Sequence, residues 1–300
     1  YSPEEECIVT VGVSEGLDIL LRALISPGDE IIYHEPCYVS YAPTIRMAHG
    51  IPVCVETFQE NGFVPTIEDL EKAVTAKTKA LIINFPNNPT GGAMTLAQKQ
   101  EIADFVIKHD ILLISDEIYE ELTYCERTKS IVALPGMRER SILLNGFSKA
   151  FAMTGYRIGY ALGPHDIIDA MMKGHQYSML CAPVMGQMAA LEALRHGKSA
   201  RLEMLEEYEQ RRNVITHRLN AMGLNCSLPN GAFYVFPSIK STGLSSMEFA
   251  QELLKSKHVA VIPGIAFGTC GEGHIRCSYA TSMDDIIKAM DLIEEFVATR

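Results

Sequence analysis

Short β-branched runs alternate with helical patterns in the first half of this chain, and this alternation limits the possible folds most strongly. Candidate helices begin near Ser14, Val39, Ile67 and Leu96, the last with Thr95 as its cap. Strands that alternate with helices are typical of α/β folds. We therefore predict a mainly parallel seven-stranded sheet flanked by helices, with strands at 8–11, 30–34, 51–56, 80–84, 112–116, 141–146 and 157–162.

The pattern changes from about residue 166 onward. Longer helical patterns cover 166–176, 184–196 and 200–222, and the last is rich in Glu and Arg, as a solvated connecting helix would be. Strand-like runs at 232–236, 259–262 and 273–278 follow, and then a final helix near 283–297. These features predict a smaller C-terminal α+β domain at 191–300, beside a large α/β domain at 1–190.

The composition limits the class of partner. The chain has 300 residues, 47% of them hydrophobic, and a net charge of −11, which disfavours a nucleic-acid partner. No apolar run approaches the length of a membrane span. Its eight cysteines show neither Cys-x-x-Cys spacing nor accompanying metal-ligand histidines. We therefore expect a cytoplasmic protein with free, mostly buried thiols, no metal and no membrane partner.

The segment 146–159 reads GFSKAFAMTGYRIG and carries the strongest functional signal. Lys149 follows a strand-like run, where a lysine is well placed to act as a Schiff-base nucleophile. Arg157, eight residues later, can hold an anionic group on the same ligand. An aldehyde and a phosphate on one molecule would satisfy both, which suggests pyridoxal phosphate (PLP). The alternative is an ordinary charged lysine in a loop.

Two further segments combine a strand end with groups that suit such a ligand. At Val13, Ser14 and Glu15 a strand gives way to a helix, whose free N–H groups attract an anion. The alternative there is a simple helix with Ser14 as its N-cap. Asp116 follows an apolar run, where a buried carboxylate needs a cationic partner such as a protonated pyridine nitrogen. The alternative is a helix cap.

The lysine segment resembles that of the class I and II aminotransferases, which have fold type I. The pattern is small–apolar–small–Lys, with Arg eight positions after the lysine. The sequences Asn-Pro-Thr-Gly at 88–91 and HIRCSYA at 274–280 resemble further segments of the same family. The resemblance implies that a PLP aldimine forms on Lys149. It also implies a cofactor site comprising Val13, Ser14, Glu15, Tyr38, Asn88, Asp116, Tyr119, Ser148, Lys149 and Arg157.

The resemblance assigns roles to several of these residues. It implies that Tyr38 stacks on the pyridine ring and that the Asp116 carboxylate keeps the ring nitrogen protonated. Tyr119 and Asn88 would bond the phenolate oxygen, and Arg276 would bind the substrate carboxylate, which Asn88 can also contact. Lys149, Asp116 and Tyr119 would be the catalytic residues. A core tyrosine at 38 and a surface arginine at 276 are the alternatives.

The implied activity is transfer of an amino group between an α-amino acid and a 2-oxo acid. A PLP-dependent C–S β-lyase remains open, because the cofactor motifs do not separate it from an aminotransferase. A non-enzymatic aminotransferase-like sensor domain also remains open, although the acidic net charge disfavours a DNA-binding role. Family members are usually homodimers, and we expect a homodimer here. They also usually have a longer segment before the first strand, so we expect this chain to be an amino-terminally truncated fragment. The loops at 231–234 and 263–268 are expected to shape the site rather than to supply its chemistry.

Overall fold

A seven-stranded sheet forms the centre of the first half of the chain in the computed structural model, which describes residues 1–300. The spatial order is β1-β7-β6-β5-β4-β2-β3. Only β7 runs antiparallel to its two neighbours. The strands are β1 (Cys7–Thr10), β2 (Glu30–Glu35), β3 (Ile51–Glu56), β4 (Thr78–Asn84), β5 (Leu112–Asp116), β6 (Ser141–Gly146) and β7 (Gly159–Leu162). The prediction of a mainly parallel seven-stranded sheet is confirmed.

Helices cover both faces of this sheet and lead into the second half of the chain. Thr95 caps α4 through a capping box with Gln98, as its position in the sequence predicts. The helices are α1 (Gly12–Leu24), α2 (Tyr41–Met47), α3 (Ile67–Ala73), α4 (Leu96–Lys108), α5 (Phe147–Ala150), α6 (His165–Ser178), α7 (Val184–His196) and α8 (Lys198–Ala221).

The central strands are mostly apolar because both of their faces are buried. On β2, Ile31 belongs to a core with Leu20 of α1, whereas Ile32 belongs to a second core with Phe105 of α4. Each of these three isoleucine and leucine side chains is completely buried. Burial on both faces removes the apolar–polar alternation that marks a half-exposed strand.

The second half of the chain contains a smaller, separate sheet of three strands, in the order β8-β10-β9. Its strands are β8 (Tyr234–Val235), β9 (Ile262–Pro263) and β10 (Ile275–Ser278), packed against α9 (Ser246–Lys257) and α10 (Met283–Val297). Helix α9 was not among the predicted helices, although Ser245 and Glu248 form a capping box at its start. Residue 190 lies inside the continuous helix α7, and the division there into two domains stays a prediction.

The strand directions bring the predicted site segments to one edge of the large sheet. Strands β2, β4, β5 and β6 are parallel, so the segments that follow them leave from the same edge. Because β7 is antiparallel to β6 and β1, the end of β1 and the start of β7 lie there too. Open α/β sheets bind ligands at the carboxyl ends of their strands.

Two sequence predictions need correction. Arg157 lies outside β7, in the left-handed backbone region with φ of 56°, because the chain turns sharply before the strand begins at Gly159. All eight cysteines are free, but only Cys37, Cys226 and Cys277 are buried, so the expectation of mostly buried thiols is wrong.

None of the helices is both long enough and apolar enough to cross a membrane.

Candidate active site

One cavity of about 390 Å³ collects nearly all the side chains that the sequence singles out. Its volume is within the usual range for small-molecule sites. Tyr41, Asn84 and Tyr234 also line it, although the sequence analysis assigned them no chemical role. The predicted residues that line it are Val13, Ser14, Tyr38, Asn88, Asp116, Tyr119, Ser148, Lys149, Arg157 and Arg276.

The start of α1 and Arg157 form one end of this cavity. Helix α1 begins at Gly12, and its N-cap position is Val11 with no side-chain cap, so the alternative of Ser14 as N-cap is wrong. Gly12 has φ of +72°, and a Cβ there would lie 2.5 Å from Nη2 of Arg157. Glycine therefore lets the guanidinium approach the free N–H groups of the first helical turn, which together attract an anion.

Glu15 is the one predicted residue that does not line the cavity. Its carboxylate is buried and makes two other contacts. Oε2 accepts a hydrogen bond from the backbone N–H of Val11, and Oε1 lies 2.7 Å from Nδ1 of His175. The sequence analysis considered only the backbone of this residue. The Glu15 side chain stabilises the turn before α1, because it contacts both Val11 in that turn and His175 of α6.

Asp116 ends β5 and is buried among polar partners. Its Oδ2 accepts a hydrogen bond from the Tyr41 hydroxyl at 2.8 Å, and its Oδ1 accepts one from the Ile118 N–H at 3.1 Å. No helix begins directly after β5, because the next helical turn is at Ile131–Ala133, so Asp116 is not a helix cap. Burial raises the pKa of its carboxyl to about 6, while these hydrogen bonds and Lys149 oppose the rise.

Lys149 lies on the short helix α5 and points between two aromatic rings. Its Nζ is 5.7 Å from the centre of the Phe233 ring and 5.9 Å from that of Tyr119. Partial burial lowers the pKa of its amine, and the nearby cations Arg157 and Arg276 lower it further. The amine thus loses its proton more easily than that of a surface lysine, as a nucleophile requires.

Two asparagines connect β4 to the arginine of the small sheet. The side chain of Asn84 donates to the backbone oxygen of Asp116 at 2.9 Å, and its oxygen accepts from the N–H of Asn88. The side-chain oxygen of Asn88 accepts from Nη1 of Arg276 at 3.0 Å. Asn88 is therefore oriented with its amide N–H groups free to donate into the cavity.

Arg276 lies between the faces of two aromatic rings. Its Cζ is 4.5 Å from the centre of the Tyr234 ring and 5.0 Å from that of Phe267. The buried Nε has no hydrogen-bond partner. A guanidinium held this way keeps donors available for a carboxylate, which it can bind with two parallel hydrogen bonds. A surface arginine would have neither the stacking nor the burial.

Comparison with known proteins identifies the family. The model of the family "Aminotransferase class I and II" matches residues 1–293. The chain belongs to the class I and II aminotransferases. It is 52% identical over 297 residues to YugH of Bacillus subtilis, which is named as an aminotransferase, covering 99% of this chain and 77% of YugH.

Two further relatives have more specific names. Aromatic-amino-acid aminotransferase 2 of Thermococcus litoralis is 46% identical, over 98% of this chain and 76% of its own length. The crystal structure of the aromatic aminotransferase from Pyrococcus horikoshii superposes with a TM-score of 0.97 at 45% identity, covering 100% of this chain and 80% of that one. The chain is thus an aminotransferase with the fold of that family.

The class I and II aminotransferases generally depend on PLP, and the cavity of this aminotransferase has groups that fit each part of that molecule. The helix start with Arg157 suits the phosphate, and Lys149 suits the aldehyde. Asp116 suits a protonated ring nitrogen, because a buried carboxylate is stabilised by a cation. Arg276 remains for the carboxylate of a second ligand.

Sequence reasoning missed Tyr41 as the partner of Asp116 and assigned Tyr234 only to the shape of the site. Tyr234 lies in the loop at 231–234 that was expected to shape the site, whereas Tyr41 begins α2, outside the segments to which the sequence assigned a role. Their chemical roles depend on partners 75 and 115 residues away in the chain, which no local pattern reveals.

Glu117 is buried, and its carboxylate accepts hydrogen bonds from the hydroxyls of Ser115 and Ser130. These bonds hold the segment after β5 in place.

Proposed function

We propose that this aminotransferase binds PLP covalently on Lys149 and moves an amino group between an α-amino acid and a 2-oxo acid. The observation that supports this most strongly is that a lysine, a buried carboxylate and two arginines line one cavity. The two arginines are well suited to separate anions, since Arg157 adjoins the helix start and Arg276 lies on the small sheet.

The proposed cofactor would supply an electron sink for the bonds at the substrate α-carbon. The backbone at Val13 and Ser14, with Ser148 and Arg157, would hold its phosphate. Tyr38 would lie on its ring face; the ring of Tyr38 packs edge-on against Tyr41 at 5.8 Å, which fixes its orientation. Asp116 would keep the ring nitrogen protonated, and Asn88 and Tyr119 would donate to the phenolic oxygen.

The remaining groups act on the substrate. Arg276 would bind the α-carboxylate and so fix the orientation of the α-carbon, with Asn88 holding the guanidinium in place. Lys149 would take the proton from the α-carbon and return it on the cofactor side, since its lowered pKa makes the neutral amine, the form that acts as a base, more accessible than in a surface lysine.

A product assay tests this reaction. The relatives are named for aspartate and for aromatic amino acids, so L-aspartate and L-phenylalanine are the first donors, each with 2-oxoglutarate as acceptor. We expect one oxo acid and one glutamate per donor consumed, and no turnover without acceptor. Release of ammonia and pyruvate from L-cysteine conjugates without an acceptor would instead show a β-lyase. No reaction with any of a full set of amino acids would contradict enzymatic function.

The proposal includes a homodimer, supported by a large apolar surface on α7 and the end of α6. Leu180 and Met185 are each 80% exposed, and Tyr177 is 89% exposed. Exposed apolar patches of this kind mark protein–protein contacts. Inside the molecule, Gly186 of α7 packs directly on Tyr156 and Ile158, which flank Arg157. A second copy on this surface would therefore support the anion-binding end of the cavity.

We expect the wild-type chain to sediment as a dimer at micromolar concentration. The double variant Leu180→Glu, Met185→Glu should sediment as a folded monomer, because it places two charges in the proposed apolar interface. The matched control Leu228→Glu, at another exposed leucine, should leave the dimer intact. A monomeric wild-type chain, or a dimer unaffected by the double variant, would contradict this part of the proposal.

A further inference from the structure

Tyr234 contacts one functional side chain from each of the two sheets. It lies on β8 of the small sheet and is 7% exposed. The face of its ring lies 4.5 Å from the Arg276 guanidinium. Its hydroxyl lies 3.1 Å from the hydroxyl of Tyr119, which follows β5 of the large sheet. One side chain thus contacts the group suited to a carboxylate and the phenol suited to the cofactor.

The role proposed for Tyr119 fixes the direction of the hydroxyl pair. In a pair of phenols only one hydroxyl donates to the other, and the 3.1 Å contact permits either direction. Tyr119 has no other side-chain hydrogen-bond partner in this structure. Because its O–H would donate to the phenolic oxygen of PLP, its oxygen would accept from the Tyr234 hydroxyl.

Both phenols keep their protons in this site. Burial raises the pKa of Tyr234, and it raises the pKa of Tyr119 well above its usual value, while the charge of Arg276 opposes the rise in both. Each hydroxyl therefore remains a donor near neutral pH.

We propose that Tyr234 is a positioning residue with two separable roles: its ring holds Arg276 for the substrate carboxylate, and its hydroxyl directs the Tyr119 O–H toward the cofactor. This inference rests on the proposed function. A phenol that accepts one hydrogen bond donates a stronger one. Loss of the Tyr234 hydroxyl should therefore weaken the bond from Tyr119 to the phenolic oxygen of PLP without changing the carboxylate site.

The two roles can be separated because Phe267 contacts Arg276 with a ring that has no hydroxyl. The test uses PLP-loaded protein and three variants: Tyr234→Phe, Phe267→Leu and Tyr234→Leu. Two readouts are compared. One is the pH midpoint of the absorbance band of Lys149-bound PLP. The other is the inhibition constant of 3-phenylpropanoate, a carboxylic acid without an amine, together with KM for L-phenylalanine and for L-aspartate.

For Tyr234→Phe we expect the band midpoint to rise by about 0.5 pH unit, as loss of one hydrogen bond implies. Its kcat should fall several-fold, with KM and the inhibition constant within about twofold of wild type. For Phe267→Leu we expect the reverse, roughly tenfold weaker carboxylate binding and an unchanged midpoint. Tyr234→Leu should show both changes.

An unchanged midpoint in Tyr234→Phe would overturn the hydroxyl role. An equal midpoint shift in Phe267→Leu would overturn it too, because the shift would then reflect general disturbance of the small sheet. Unchanged carboxylate binding in both leucine variants would overturn the ring role. A wild-type protein without a PLP band would show instead that the proposed function itself fails.

Discussion

Replacing Lys149 with alanine is expected to abolish transamination, with turnover at least about 10⁴-fold below wild type. The change removes the amine that would bond the cofactor and move the proton at the substrate α-carbon, and positioned proton transfer alone contributes up to about 10⁴-fold. The absorbance band of Lys149-bound PLP should vanish in the same variant. Steady-state assays with 2-oxoglutarate and absorbance spectra of the PLP-loaded protein measure the two effects.

Lys149→Arg is the matched comparison. It keeps a positive charge beside Asp116 and among the rings of Tyr119 and Phe233, yet its guanidinium does not lose a proton in proteins. It should therefore be as inactive as the alanine variant while still retaining PLP noncovalently through the anion end of the cavity. Turnover in Lys149→Ala above about 1% of wild type would contradict the assigned role of this residue.

Asp116→Asn is expected to stabilise the cofactor-free protein at neutral pH. The folded-state pKa of about 6 lies above the usual value of 3.8, so the folded protein binds an extra proton between these values. The stability from this group is complete below pH 3.8 and is lost as pH rises through 6. The loss amounts to about 3 kcal/mol, at 1.36 kcal/mol per pKa unit, and asparagine escapes it.

Urea unfolding of the cofactor-free proteins measures this effect. The variant should be more stable at pH 8 by up to about 3 kcal/mol, and the difference should disappear toward pH 4. Asp104→Asn, at an exposed aspartate of α4, should change stability by less than about 0.5 kcal/mol at either pH. A variant that is less stable than wild type at pH 8 would contradict the account of Asp116 as a buried anion whose hydrogen bonds only partly offset the cost of burial.

The same substitution should reduce turnover by about 10²- to 10³-fold. Loss of one partner of a buried ion pair costs about 3–5 kcal/mol, and here the other partner would be the protonated ring nitrogen of PLP. PLP should accordingly stabilise wild type against urea more than it stabilises Asp116→Asn. Equal stabilisation of the two proteins by PLP, with turnover retained, would show that Asp116 does not serve the cofactor.

The sequence predicted the parts of the fold and site that depend on local patterns. The runs at 112–116 and 141–146 are mostly apolar because both faces of these strands are buried. Their predicted bounds match those of β5 and β6. Asp116 is the last residue of β5, and Lys149 lies three residues after the end of β6. Parallel pairing therefore places them at one edge of the sheet, and this inference needs no knowledge of distant contacts.

The features that the sequence could not predict depend on side chains far apart in the chain. Tyr41 reaches Asp116 across the sheet, and Arg276 reaches Asn88 from the small sheet, 188 residues later. The turn of the Glu15 carboxylate toward His175 likewise depends on how α6 packs on α1. Helix α9 is different, because its capping box at Ser245 and Glu248 was present in the sequence and was overlooked.

The most direct test of the proposed cofactor role is to locate the bond between this chain and PLP. The wild-type chain is loaded with PLP, reduced with borohydride, digested and mapped by mass spectrometry. We predict a single phosphopyridoxyl modification, on the peptide that contains Lys149, and its loss when L-aspartate or L-phenylalanine is added before reduction. Modification of a different lysine, or of none, would contradict the assignment of this cavity as the site of amino-group transfer.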